Sequence, residues 1–224
     1  MIPYPKFRYV YPPRPQNPIP LDELVKYDNG TYGGQPKLNG DCMVVFTNGL
    51  EVHVYDRHNK HFKKNIPNTE RFLNLHRETG TGNKWMVLSG ENMTKSKLNE
   101  WTENFNGNFV IFDIMVFDGV QLIGKTFDER VQLLDRLYGQ EDKEIMPDGI
   151  RKHDFLYITD VENVYRVKTF YDCFNVIWKD IVKIDMFEGF VIKRLDAKLE
   201  MGRSEKNNSN WMMKIRKPTK NYLY

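Results

Sequence analysis

The sequence predicts an α+β fold in which strands dominate and helices are set between them. Three observations carry this. Short apolar runs rich in β-branched and aromatic residues recur along the chain, one segment holds a helix capping box, and another holds an apolar stripe at helical spacing. Met43-Val44-Val45-Phe46 is the first clear strand. Asn48-Gly49 then predicts a tight turn, and the alternation of Glu51-Val52-His53-Val54-Tyr55 predicts the return strand. A helix is expected over 69–78, with Phe72 and Leu75 on one face. Trp85-Met86-Val87-Leu88 and Phe109-Val110-Ile111-Phe112 read as buried strands. Thr126-Phe127-Asp128-Glu129 is a capping box, because the threonine hydroxyl can accept from the first turn while Glu129 reaches back. Val131, Leu134 and Leu137-Tyr138 follow at helical spacing, and Gly139 can close that helix. A further helix is expected over 169–183, with Phe170, Cys173, Phe174, Ile177, Trp178 and Ile181 on one stripe. Phe190-Val191-Ile192 and the stretch from Trp211 to Ile215 complete the strands.

A length of 224 residues suits one large domain, or one with a small appendage, and allows a sizeable core. With 40% hydrophobic and 28% charged residues the chain is an ordinary folded protein. A net charge of +3 does not by itself indicate nucleic acid, although a local basic surface could serve a phosphate backbone. No apolar run reaches membrane-span length, and the N-terminus lacks the apolar core of a signal peptide, so a cytoplasmic or nucleoid-associated, non-secreted protein is expected. Cys42 and Cys173 make neither a disulfide framework nor a zinc set and are expected as small buried thiols. Pro12, Pro13, Pro15, Pro18 and Pro20 exclude a helix or central strand over 9–20. Residues 1–20 therefore read as a Pro-rich arm, either extended along the domain or a disordered tail, and residues 21–224 as the domain itself.

Neither GxGxxG nor GxxxxGK[ST] is present, so a nucleotide would have to be held without a Gly-rich phosphate loop. The first residues with chemical promise are Lys37-Leu38-Asn39-Gly40. A lysine amine becomes a nucleophile when burial or a nearby cation disfavours its charged form. Taken alone, such a tetrapeptide is more often a surface lysine before a strand. Later segments change its meaning. Ser89-Gly90-Glu91 ends a buried strand with a carboxylate, and Phe112-Asp113 lies within an apolar one. Glu188-Gly189-Phe190-Val191-Ile192-Lys193 brackets a strand with an acid and a base. Trp211-Met212-Met213-Lys214-Ile215-Arg216 alternates cations along the last strand.

This ordered set resembles the covalent nucleotidyltransferase superfamily of DNA ligases, RNA ligases and mRNA capping enzymes, from about Pro20 to Lys217. It is nearest to the adenylation domain of an ATP-dependent polynucleotide ligase. The resemblance implies a ligase-type domain of antiparallel sheets flanked by helices, with ATP in the cleft between them. It implies Lys37 as the nucleophile that carries AMP, Arg57 as a ribose contact, Glu91 as the acid of the third motif and Phe112 as the base-stacking aromatic. Glu188 and Lys193 match EGxxxK, Lys214 and Arg216 resemble the final pair of cations, and Gln35 stands where ligases read adenine. Lys193, Lys214 and Arg216 would neutralise phosphate oxygens as charge builds. Glu188 and Glu91 would hold Mg²⁺ or Mn²⁺, directly or through water. The implied function is sealing of 5′-phosphate and 3′-hydroxyl ends of nicked DNA or RNA, with DNA slightly favoured and no membrane partner.

Four features depart from the pattern. Asn39 replaces an acid, Cys42 stands where DNA ligases and capping enzymes carry arginine, and Trp211 lies three residues before Lys214 rather than two. No residues are expected for an OB-fold domain, whose task a separate protein would then supply. The alternatives are an RNA ligase, an mRNA capping guanylyltransferase, and a non-catalytic nucleotide- or nucleic-acid-binding module.

Overall fold

The computed structural model describes residues 11–58, 60–62, 66, 68–93, 105–139, 155–184, 186–202 and 207–218. The first ten residues of the Pro-rich arm lie outside them, as does the chain end after residue 218. The apolar runs assemble into two sheets. The first has four strands in the order β1 (Arg14–Pro18), β11 (Asn208–Arg216), β10 (Phe187–Arg194), β2 (Tyr32–Leu38). The second has seven. Its main path runs β4 (Val52–Asp56), β3 (Asp41–Thr47), β5 (Met86–Asn92), β6 (Phe109–Phe117), β9 (Val164–Val167), β8 (Leu156–Ile158). The short β7 (Val120–Gln121) pairs with β6 off that path. The helices are α1 (Glu70–Arg77), α2 (Phe127–Tyr138) and α3 (Phe174–Ile181), and a 3₁₀ segment spans Leu21–Tyr27.

The sheets are mixed rather than purely antiparallel, since β1 runs parallel to β11 and β6 parallel to β9. The second pairing follows from the long connection through α2, which returns the chain in its original direction. The first places the prolines at a sheet edge. As an edge strand, β1 does not need every donor, and its flanks make the ladder: Arg14 N donates to Asn207 O (2.9 Å) and Ile19 N to Lys214 O (3.0 Å).

The turn after β3 is longer than expected. Asn48 Oδ1 accepts from the backbone of Leu50 (3.0 Å) and Glu51 (2.8 Å), so the return strand begins at Val52. The helix expected over 169–183 is shortened to α3. Phe170 exchanges backbone hydrogen bonds with Gly34 instead, and Cys173 takes a left-handed conformation (φ 57°) that starts the helix late. Cys173 is consequently exposed, not buried, and Cys42 is only partly buried. Strands β8 and β9 and the 3₁₀ segment have no counterpart among the sequence expectations. They are too short to show a period.

The capping box at α2 is formed: Glu129 N donates to Thr126 Oγ1 (3.1 Å) and Thr126 N to Glu129 Oε2 (2.7 Å). The Glu129 carboxyl is held down at about 2, chiefly by its hydrogen bond from Lys125 and then by the Thr126 backbone. Thr126→Ala should cost about 1 kcal/mol, read as a shift of the denaturant midpoint at unchanged m-value. A loss below about 0.3 kcal/mol would show that the cap is redundant.

One core cluster backs the four-stranded sheet. Phe187, Phe190 and Ile192 of β10 and Met213 and Ile215 of β11 are buried there with Phe174 and Trp178 of α3. The rings of Phe174 and Phe190 meet edge to face with centroids 5.6 Å apart. Alternation along β10 and β11 therefore commits the other face of the sheet to the residues in between.

Candidate active site

The face of the four-stranded sheet turned away from this core lines a cleft and carries its chemistry in cross-strand rows. Gly189 pairs with Lys37 of β2 on one side and Arg216 of β11 on the other. The next row is Gln35, Val191 and Lys214, and the one after is Gly33, Lys193 and Met212. Period-two spacing along each strand puts all of these on one face. Between Phe187 and Gly189 the register shifts, so Glu188 sits in a bulge. The bulge lets Phe187 and Phe190 share the core and sends Glu188 toward the reactive face, where its carboxylate is ion-paired with Lys37 and lies 3.7 Å from Arg216 Nη2. Glycine is required at 189 because a Cβ would run into the Ile215 carbonyl.

Lys193 is almost completely buried. Its amine lies 4.6 Å from the Phe127 ring centroid and 5.5 Å from that of Phe112. Burial pushes it down to about 8, with Asp113 pulling the other way and Arg130 adding to the depression. Asp113 and Arg130 form a buried two-pronged pair, Nε to Oδ1 at 2.8 Å and Nη2 to Oδ2 at 3.0 Å. Burial opposes the ionised Asp113, but Arg130 prevails and holds the carboxyl below its ordinary value. Lys214 is pressed below its ordinary value by burial, then by Arg216 and Arg14.

The seven-stranded sheet forms the facing wall. Glu91 on β5 pairs with Cys42 on β3, and Gly40 lies against them. A Cβ at Gly40 would come within 2.6 Å of the Asn92 carbonyl and 2.7 Å of Glu91 Cγ, which gives the glycine of the lysine motif its structural reason. The Cys42 thiol is pushed up to about 12 by burial and then by Glu91, so it stays a thiol at working pH. Phe112 sits where β6 slips register, between Ile111 opposite Gly90 and Asp113 opposite Ser89. That irregularity presents its half-buried ring to the cleft. Arg57 occupies the turn after β4, its Nε donating to His58 Nε2 at 3.1 Å. Asp56 shapes that turn by accepting from the backbone of His58 and Lys60.

A cleft of about 700 Å³ lies between the walls, and every site residue singled out in the sequence lines it: Gln35, Lys37, Arg57, Glu91, Phe112, Glu188, Lys193, Lys214 and Arg216. The cleft is also lined by Arg14, Asp41, His58 and His61, which sequence reasoning missed. For Arg14 a signal existed, a single cation inside the proline run, but nothing in the sequence shows where the arm lies. Among the described residues no group of three or more His, Cys, Asp or Glu could hold a metal ion on its own. The donor set, carboxylates on the two walls, suits a cation shared with phosphate oxygens rather than a protein cage.

The family model described as ATP dependent DNA ligase domain matches residues 75–216. The chain belongs to this family. The ligase domain of LigD from M. tuberculosis has a similar fold, with a TM-score of 0.59 at 17% identity, covering 86% of this chain and 56% of that one. A mycobacterial DNA ligase D complexed with ATP and MES gives 0.59 at 16% identity, with 91% and 58% covered. A Lig E DNA ligase gives 0.50 at 14%, with 93% and 70% covered. No curated protein matches the chain. The chain therefore has the nucleotidyltransferase fold of an ATP-dependent ligase, and it spans a little over half the length of the two LigD structures. The family match begins after Lys37, so it is the pairing of β2 with β10 that brings Lys37 to the matched residues.

Proposed function

We propose that this ligase domain joins nucleic-acid ends through an AMP carried on Lys37, with DNA favoured over RNA. The observation that carries the reading is the meeting of Lys37, Glu188, Lys193, Lys214 and Arg216 on one sheet face, opposite Phe112, Arg57 and Glu91. Lys37 Nζ attacks the α-phosphorus of ATP. The bond to the bridging oxygen breaks and pyrophosphate leaves, which requires the amine to give up its proton. Glu188 positions that amine. Lys193, Lys214 and Arg216 neutralise the phosphate oxygens as charge develops. Phe112 offers a face to the base, and Arg57 a donor to the ribose. Glu188 and Glu91 would hold a divalent cation, Mg²⁺ or Mn²⁺, which supplies further charge neutralisation at the phosphates. The AMP then passes to a 5′-phosphate, and a 3′-hydroxyl displaces it to seal the strand.

DNA is favoured because the matching family model is that of a DNA ligase domain. Cys42, a neutral thiol at a position where the DNA-ligase pattern carries arginine, favours RNA as the second reading. The test is intact-mass analysis after incubation with ATP and Mg²⁺ or Mn²⁺, followed by sealing assays on nicked DNA and nicked RNA. An AMP adduct with faster DNA sealing is expected. No adduct with either metal would leave a binding module. Two free cysteines and ATP as substrate support a cytoplasmic or nucleoid-associated site of action. Among the described residues no helix is long and apolar enough to cross a membrane.

Gln35 supports ATP as the nucleotide. Its Nε2 donates to Thr169 Oγ1 (3.0 Å) and to the Phe112 carbonyl (3.4 Å), which turns its oxygen into the acceptor for an adenine amino group. Labelling with ATP should therefore exceed labelling with GTP. Thr169→Val, which removes the hydroxyl that anchors the amide, should narrow the preference several-fold. Equal labelling by the two nucleotides in the unaltered protein would overturn the role of Gln35.

A further inference from the structure

We propose that Arg14, on the proline-rich arm, is a phosphate-binding residue of this cleft. The inference rests on the ligation reading above for its biological setting, though not for its geometry. The arm is built into the fold at several points. The Asn207 side chain donates to the Tyr11 carbonyl at 2.8 Å, and Arg14 N donates to Asn207 O at 2.9 Å. At Gly202 the arm passes so closely that a Cβ would lie 2.7 Å from Tyr11 Cβ. Beyond Arg14 the chain continues as β1, with Pro18 opposite Lys214. Pro12, Pro13 and Pro15 flank the arginine and narrow its backbone freedom before folding, so little entropy is lost in holding it there.

The cleft is lined by Pro12, Pro13, Arg14 and Pro15 on this side. Arg14 lines the same cleft as Lys214 and Arg216 of one wall and Cys42 and Arg57 of the other. It acts on Lys214 together with Arg216, and on Cys42 together with Arg57 and Lys37. Arg14 is thus the first residue of the edge strand β1, opposite Asn208, and it faces the cleft that Lys214, Arg216 and Cys42 also line. A guanidinium that shares a cleft with Lys214 and Arg216 suits a phosphoryl anion, which it can grip with two parallel N–H donors. Two sources share that chemistry: the β- and γ-phosphates of ATP, and the 5′-phosphate of a nucleic-acid end.

The experiment compares the unaltered chain with Arg14→Ala and Arg14→Lys in three measurements. The first is the rate of AMP attachment from ATP. The second is calorimetric binding of inorganic pyrophosphate to Lys37→Ala with and without Arg14→Ala, which needs no chemistry. The third is joining of a pre-adenylylated nick. A loss of about tenfold or more in Arg14→Ala, partly restored by lysine and without a change in melting temperature, is expected in at least one of them. Losses in the first two place the anion on the nucleotide. Loss in the third alone places it on the nucleic-acid end. If the unaltered chain takes up no AMP but pyrophosphate binding still falls with Arg14→Ala, the ligation reading fails and the anion site stands. If all three are unchanged, or fall only in step with lost thermal stability, Arg14 is a structural residue and the inference is overturned.

Discussion

Lys37→Ala should abolish AMP attachment, by more than about a thousandfold, while leaving the fold intact. The Lys37 side chain lies at the face of β2 and is about one-fifth exposed, at 22%. Its removal creates no core cavity. Nor does it orphan the carboxylate it pairs with, because Arg216 already lies 3.7 Å from Glu188. The loss should therefore be chemical and not structural: unchanged melting, retained ATP binding, and no mass increase of one AMP. A pre-adenylylated end already contains the phosphoanhydride that Lys37 would otherwise create. Joining of such an end should persist in the variant and fail only for a plain 5′-phosphate. An adduct of undiminished yield on a different lysine would overturn the assignment of the nucleophile and with it the reading of the cleft.

Lys193→Met should separate activity from stability. The amine is buried among Phe112, Phe127 and the Asp113–Arg130 pair, and burial outweighs the attraction of Asp113. Folded, the amine titrates at about 8, against its ordinary 10.5 when unfolded. Between those values the unfolded chain binds more protons than the folded one. Stability therefore rises with pH across that window, and below it the protonated lysine opposes folding. Methionine has similar length, no charge to desolvate and an affinity for aromatic rings. The variant should be at least as stable as the unaltered chain at pH 7, by up to about 3 kcal/mol, and the rise in stability above pH 8 should flatten. AMP attachment should nevertheless fall about a hundredfold or more, because a cation aimed at the phosphates is lost. Denaturant unfolding from pH 7 to 10 alongside labelling kinetics reads both effects. A variant both less stable and still active would show that Lys193 is a packing residue.

Much of the site was legible because its chemistry is written at strand period. Lys214 and Arg216 are two apart and fall on one face. So do Gln35 and Lys37. The step from Glu188 to Lys193 is odd, and a uniform strand would place those two side chains on opposite faces. The register shift at Glu188 removes that conflict, and no residue type in the segment announces it except Gly189. Phe112 is similar: within Phe109-Val110-Ile111-Phe112 it reads as one more buried apolar residue, and only the slip between β5 and β6 turns it to the cleft. The helix expected over 169–183 failed at its start for a related reason. Phe170 is as apolar as the stripe below it, yet its backbone is engaged by Gly34, and the hydroxyl of Thr169 anchors Gln35.

By itself the sequence determined the α+β class, the capped α2, the strands of greatest apolar density and the order of the residues that line the cleft. Each of these depends on residues near one another in the chain, where periodicity and side-chain chemistry act directly. The tertiary structure alone decided which strands pair, where the register slips, and that the proline-rich arm joins the edge beside Lys214 and brings Arg14 to the cleft. Those choices depend on contacts between residues far apart in sequence, as between Arg14 and Asn207 or Lys37 and Glu188. Their free energy comes from a backbone ladder and a shared core that no local pattern encodes.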